Sequence, residues 1–213
     1  MHLILASQSP RRRELLEQAG FELTVAPSDI DETRRSGESP VELVERLARG
    51  KARAALPLLH HGATSAVAVV AADTIVWTDA GEVLGKPADE DDAARMLREL
   101  SGRTHHVSTG ACVAAGAADG ATGRVTSFVE TTDVTFWELT DAEVAAYVAS
   151  GEPGDKAGAY GIQGAGRLLV REVRGDYQNV VGLPVARLVR ELGALLGEKD
   201  LVARAIKIGG PLA

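Results

Sequence analysis

Short apolar runs, each of strand length, alternate along the chain with segments whose apolar residues recur at helical spacing. Residues 2–6 form the first run and read as a buried strand. A polar turn, Ser7-Gln8-Ser9, follows it and leads into Pro10. Serine at the N-cap with proline in the first helical position starts a helix, and Gly20 stops it. Leu15, Leu16 and Ala19 form its buried stripe. A second helix is predicted from Ser39-Pro40 to about Leu56, with Val44, Leu47, Lys51 and Ala54 at helical spacing; residues 57–65 then read as a loop. Residues 67–72 are a continuous apolar run ending at Asp73. Residues 74–77 and 82–84 flank Asp79-Ala80-Gly81, a hairpin turn.

Residues 89–100 are helical, with Ala93, Met96, Leu97 and Leu100 on one face. Two long strands, 104–115 and 125–137, are joined by a Gly/Ala-rich tip at 116–123. Thr140 with Glu143 is a capping box for a helix through Ala149. Glycine dominates residues 151–166, residues 167–173 read as a strand, and Pro184 opens a last helix through about Leu196. The tail from Gly197 is weakly patterned and is expected to be ordered only by contact. No repeat, composition break or Pro/Ser-rich linker interrupts this alternation. The expected fold is one α/β unit over residues 1–213, a mixed twisted sheet flanked by helices, with two lobes around a cleft.

Composition narrows the partners. A formal net charge of -7 argues against a general nucleic-acid binder, which carries a basic surface. The single cysteine, Cys112, rules out an internal disulfide framework and a multi-cysteine metal site, and its apolar surroundings mark a buried strand residue. No secretory pattern opens the chain and no apolar run is long enough to span a bilayer, so the expected compartment is the cytosol, with no membrane partner.

Four segments carry candidate chemistry. Residues 7–13 place Arg11, Arg12 and Arg13 at a helix start, where unpaired N–H groups and the macrodipole favour an anion. Cations oppose that dipole, so three of them there make sense if an anion binds; a solvated face is the bland alternative. Asp73, at the end of its apolar run, is placed to hold a divalent metal or accept a proton from water, or else to cap a turn. Gly85-Lys86-Pro87 projects an ammonium from a rigid corner, and Asp29, Asp31 and Glu32 form an acidic group suited to a hard cation. The glycine-rich residues 155–164 hold Gln163, whose amide suits the edge of a base. The histidines at 60, 61, 105 and 106 lack metal spacing. Together these features describe a site for a polyphosphate bearing a ring.

At this point the sequence resembles the Maf family of nucleotide pyrophosphatases, also called septum-formation inhibitors. The matching stretches are Leu3-Ile4-Leu5-Ala6-Ser7-Gln8-Ser9-Pro10-Arg11-Arg12-Arg13, Ala72-Asp73-Thr74-Ile75-Val76 and Gly81-Glu82-Val83-Leu84-Gly85-Lys86-Pro87, then residues 96–102, 155–164 and 175–184 in the same order. The resemblance covers about residues 3–192. It implies a cleft-bearing α/β fold, commonly a homodimer, and hydrolysis of a nucleoside triphosphate at its α-phosphate with a divalent cation, Mg2+ or Mn2+.

Carried over by motif, Ser7, Arg11 and Arg12 grip phosphates, with Lys51 and Lys86 reaching the same charge. Asp73 accepts the proton of the attacking water, and Glu32 supports metal or water, which makes Asp73 and Glu32 the expected metal ligands. Asp73, Lys86 and Glu32 are then the catalytic set, and Arg11, Thr74 and Gln163 set base preference. Ala159-Tyr160-Gly161-Ile162-Gln163-Gly164 resembles the branch acting on dTTP and UTP rather than 7-methyl-GTP. Residues 57–65, 116–123 and the tail depart from the family pattern. The competing readings are a 7-methyl-GTP pyrophosphatase and a non-catalytic nucleotide-binding regulator of cell division.

Overall fold

Consecutive side chains on a strand point to opposite faces, and this period of two decides how the molecule is layered. The computed structural model describes residues 1–59, 67–115 and 123–209. Its sheet contains β1 (His2–Leu5), β2 (Glu22–Val25), β3 (Ala68–Trp77), β4 (Val83–Leu84), β5 (Thr104–Ala115), β6 (Val125–Phe136) and β7 (Val170–Arg174). The order is β2-β1-β3-β5-β6-β7, with β4 beside β3. β1 runs parallel to β2 and β3, and the remaining pairs are antiparallel. The helices are α1 (Pro10–Gln18), α2 (Pro40–Ala55), α3 (Glu90–Leu100), α4 (Asp141–Ala149), α5 (Tyr177–Val181), α6 (Val185–Leu196) and α7 (Leu201–Gly209). The expected mixed sheet flanked by helices is what forms.

Leu3 and Leu5 of β1, with Ala68, Val70 and Ala72 of β3, join the larger core, which packs α1, α3, α4 and α6 against one face. Ile4, Val69, Ala71, Cys112 and Ala114 face the other way, against Ala48, Ala52 and Ala55 of α2. Small residues on both sides bring α2 close to the sheet. Gly110 marks the tightest approach, since a Cβ there would lie 2.2 Å from the Val44 carbonyl oxygen. Cys112 is fully buried, and burial raises its thiol to about 11, which leaves it an inert packing residue.

The caps read from sequence are present: Ser9 and Pro10 open α1, and Thr140 with Glu143 closes the capping box of α4. Elsewhere the structure corrects the reading. Asp73 does not end its strand, because β3 pairs with β5 from Ala68↔Ala115 through Trp77↔His106. Residues 165–168 form a 3-10 turn and β7 begins only at Val170. β2 and α5 were not anticipated. α6 is not the last helix, since α7 follows it with Leu201 buried and Val202 and Ala205 packed against the larger core. On α2, Ala54 is exposed and Ala52 and Ala55 take the buried stripe. The loop at 57–65 opens with a 3-10 turn (Leu56–Leu59); its residues 60–65, His60 and His61 among them, and the tip at 116–122 lie outside the described residues.

One detail of pairing opens the site. β1 accompanies β3 only as far as Leu5↔Val70, and β4 rejoins it at Val76↔Leu84. Between these pairings the β3 edge that carries Asp73 and Thr74 has no strand beside it among the described residues.

Candidate active site

The gap beside β3 is the floor of a cleft of ≈ 1510 Å³, lined by residues from the α1 start, the segment before α2, the β4 corner and the glycine-rich loop. Asp73 and Thr74 are adjacent, so they serve opposite faces of the sheet.

On the Thr74 side, α1 brings in Arg12. Its Nε donates to the Gly182 carbonyl at 2.9 Å, Nη1 to Ser7 Oγ at 3.0 Å and Nη2 to Thr74 Oγ1 at 2.9 Å. Thr74 Oγ1 also bonds Thr109 Oγ1 at 2.9 Å, and Thr109 donates to the Asn179 carbonyl at 3.1 Å. Gly182 follows α5 at φ 134°, a conformation that favours glycine, and so turns its carbonyl onto Arg12. All of these partners are neutral oxygens. Among the described residues no carboxylate pairs with Arg12, and burial pulls the guanidinium below its ordinary value while Asp73 opposes that shift. A desolvated cation that lacks a counter-ion and keeps two N–H donors to spare is a receptor for an anion. Ser7, itself buried, accepts bonds from Arg12 and from the Ser9 N–H at 3.2 Å, which leaves its hydroxyl proton for a ligand.

On the Asp73 side, α2 brings in Lys51. Its ammonium bonds Asp73 Oδ1 at 2.5 Å and Glu32 Oε1 at 2.7 Å, with Lys51 and Asp73 both nearly buried. One cation therefore faces two carboxylates, and Asp73 Oδ2 accepts no hydrogen bond from the described residues. These are hard oxygen donors meeting at one point, which suits Mg2+ or Mn2+. No group of three or more His, Cys, Asp or Glu residues gathers among the described residues, so phosphate oxygens and water would complete the coordination, a mode Mg2+ favours.

The remaining predicted residues separate by position. Arg11 lines the cleft and lies 3.6 Å from Asp155, whereas Arg13 turns outward and pairs with Glu17 at 2.7 Å. The solvated-face reading of the arginine run thus holds for Arg13 alone. Of the acidic group, Asp31 caps its own turn through the Thr33 N–H, Asp29 lines the cleft exposed, and Glu32 reaches Lys51. Lys86 is exposed at the cleft edge, on a corner tied down by Gly158 N–H to Gly85 O at 3.0 Å. Gln163 lines the cleft from the glycine-rich loop, exposed, and its side-chain amide makes no hydrogen bond among the described residues. Lys51 has surroundings that the sequence did not show: its ammonium bonds two carboxylates and keeps one N–H.

The model for Maf-like proteins matches residues 2–195. The chain belongs to this family. Among Maf-like relatives, a protein of Halalkalibacterium halodurans named dTTP/UTP pyrophosphatase is 50% identical over 190 residues, covering 89% of this chain and 94% of the relative. One of Bacillus thuringiensis subsp. konkukian with the same name is 49% identical, covering 89% and 93%. A solved structure titled "The structure of the Staphylococcus aureus Ham1 protein" is similar at 15% identity and a TM-score of 0.42 over 64% of this chain and 72% of that one. That likeness is too loose to build on. No helix of the described residues is long and apolar enough to cross a membrane.

Sequence reasoning passed over four contributors to this Maf-like site: Gly182, Thr109, Tyr147 and Glu152. Gly182 is signalled only by its place after Asp176 and a five-residue helix. Glu152 stands directly before the Pro153-Gly154 turn of the glycine-rich segment, and its carboxylate orders that segment.

Proposed function

We propose that the chain hydrolyses dTTP and UTP to the nucleoside monophosphate and pyrophosphate, by attack of water at the α-phosphate. The relatives at 49–50% identity carry that activity in their names. The observation that carries the reading is the split of charge across β3: a guanidinium with no carboxylate partner among the described residues on one side, two carboxylates sharing one ammonium on the other.

In this reading Arg12, Arg11 and the Ser7 hydroxyl hold the triphosphate at the start of α1, and Lys86 neutralises the departing pyrophosphate. Thr74 acts by fixing Arg12, whose Nη2 it accepts. Asp73 and Glu32 would hold the divalent cation, which neutralises phosphate charge and makes nearby water more acidic. The free Oδ2 of Asp73 orients that water and takes its proton, and Lys51 keeps both carboxylates aligned. Gln163 reads the base. A homodimer working in the cytoplasm, apart from nucleic acid and membrane, completes the proposal; sedimentation of the free chain decides the first of these.

The test is pyrophosphate release from dTTP, UTP, CTP, GTP, ATP and 7-methyl-GTP with Mg2+ or Mn2+, before and after EDTA. Release from dTTP and UTP that stops in EDTA is expected. No release from any nucleotide overturns the proposal.

A further inference from the structure

Glu152 lines the cleft, and the glycine-rich loop is folded around its carboxylate. Oε2 accepts the Ala165 N–H at 2.7 Å, while Oε1 accepts the Tyr147 hydroxyl at 3.0 Å and the Gly166 N–H at 3.5 Å. The Tyr147 oxygen in turn accepts the Gly161 N–H at 2.9 Å. Lys156 Nζ donates to the Glu152 carbonyl at 2.7 Å and binds Asp155, the partner of Arg11. The loop is therefore anchored on both sides of Gln163, at Gly161 and again at Ala165 and Gly166.

Close packing points the same way. A Cβ on Gly164 would lie 2.2 Å from Glu152 Oε1, and one on Gly161 would lie 2.5 Å from Lys156 Cε. These positions are glycine because the backbone lies directly on the anchoring side chains. Just upstream, Ala159 is held at φ 57° while fully buried, a conformation that persists only where surroundings impose it.

The consequence concerns Gln163. Its amide is both donor and acceptor, and the two ends are exchanged by a half-turn. In one orientation it meets the N3–H and carbonyl edge of uracil or thymine. Turned over, it meets the N3 and amino edge of cytosine. The amide can make that half-turn on any backbone. What an anchored loop supplies is the distance and angle at which it meets one base edge, and a loose loop lets it settle against either.

Resting on the pyrimidine-nucleotide reading above, we propose that Glu152 and Tyr147 are positioning residues for base selection. They act through the loop that carries Gln163, without touching the reacting atoms.

Tyr147→Phe removes one oxygen from this anchor, and Glu152→Gln removes one of its two acceptors. Steady-state kinetics on UTP and CTP with Mg2+, together with Tm, separate positioning from scaffolding. Each variant is expected to raise KM for UTP about 10-fold, the scale of one lost hydrogen bond, with kcat within about 3-fold. The ratio of kcat/KM for UTP over CTP should fall about 5-fold or more. The double variant should be little worse than the more severe single, since both act through one anchor. A lowered Tm with an unchanged UTP:CTP ratio overturns the proposal. Should Glu152→Gln fail to fold, Tyr147→Phe decides alone. No pyrophosphate from the wild-type chain overturns the pyrimidine reading and this proposal with it, whereas a selective wild type with equally selective variants overturns this proposal only.

Discussion

Asp73 and Thr74 differ by one position on β3 and by the sign of everything around them. Thr74 faces Arg12, a cation whose partners are all neutral oxygens. Asp73 faces Lys51, a cation shared with Glu32, so negative charge is in excess there. The strand keeps the two apart because alternate residues face opposite sides of the sheet, and the missing neighbour strand opens both to one cleft. Other arginines meet a carboxylate, as Arg46 meets Glu38 and Arg174 meets Asp133. Unbalanced charge held in place by a rigid sheet marks the place the proposed function gives to substrate and metal.

Substitutions that break this division should have the largest effects. Asp73→Asn keeps the shape and removes the proton acceptor. Pyrophosphate release should fall about 10³-fold with Tm preserved, and an active variant would remove Asp73 from the mechanism. Arg12→Lys tests the other side: one ammonium cannot satisfy Gly182, Ser7 and Thr74 together, so kcat/KM should drop about 100-fold, mostly through KM. Gly110→Ala reaches the acidic side indirectly. Its new methyl meets the Val44 carbonyl and moves α2, which carries Lys51. A loss of about 1–3 kcal/mol in stability with a several-fold loss of turnover is expected from urea unfolding and assay, and unchanged behaviour would show that α2 can shift without cost.

A gentler probe uses acid. His105 bonds the Tyr160 hydroxyl at 2.9 Å beneath the Gln163 loop, and burial lowers its imidazole to about 3. The unfolded chain then binds the extra proton between about pH 6.5 and 3. Its contribution is complete above pH 6.5 and declines as pH falls towards 3, at no more than ~1.4 kcal/mol per pH unit. Unfolding midpoints between pH 7 and 4.5 should fall less steeply in His105→Gln, and equal slopes would contradict the assignment. Smallest of all is Arg13→Ala. Arg13 is next to Arg12 in sequence but pairs in solvent with Glu17, so neither Tm nor kcat/KM should change measurably.

What the sequence made legible was local. Ser9-Pro10 and Thr140 with Glu143 are signals complete within four residues, and both caps formed as read. The charged residues of the cleft were legible as types because Arg11, Arg12, Asp73 and Lys86 stand in recognisable motifs. Their pairing was not. Asp73 looked like a strand end because a polar residue follows an apolar run, yet ten pairings to β5 carry the strand on to Trp77. The pairing of Lys51 with Glu32 was not legible because nothing in α2 shows that Glu32, nineteen positions earlier, folds back onto it. β2 escaped because its pattern is only half-buried, and α5 because five residues are too few for a period. α7 carries exposed Ile206 and Ile208, which blur its buried stripe. Glu152 escaped because its role depends on Ala165 and Gly166 returning to it.

Equilibrium binding of UTP in EDTA, where no turnover is expected, tests the division of labour most directly. Asp73→Asn should bind UTP at least as tightly as the wild type, because it removes a negative charge from the cleft without touching the phosphate grip. Arg12→Lys should bind at least about 10-fold more weakly, in line with the rise in KM expected of it. Weaker binding by Asp73→Asn together with unchanged binding by Arg12→Lys would contradict the account.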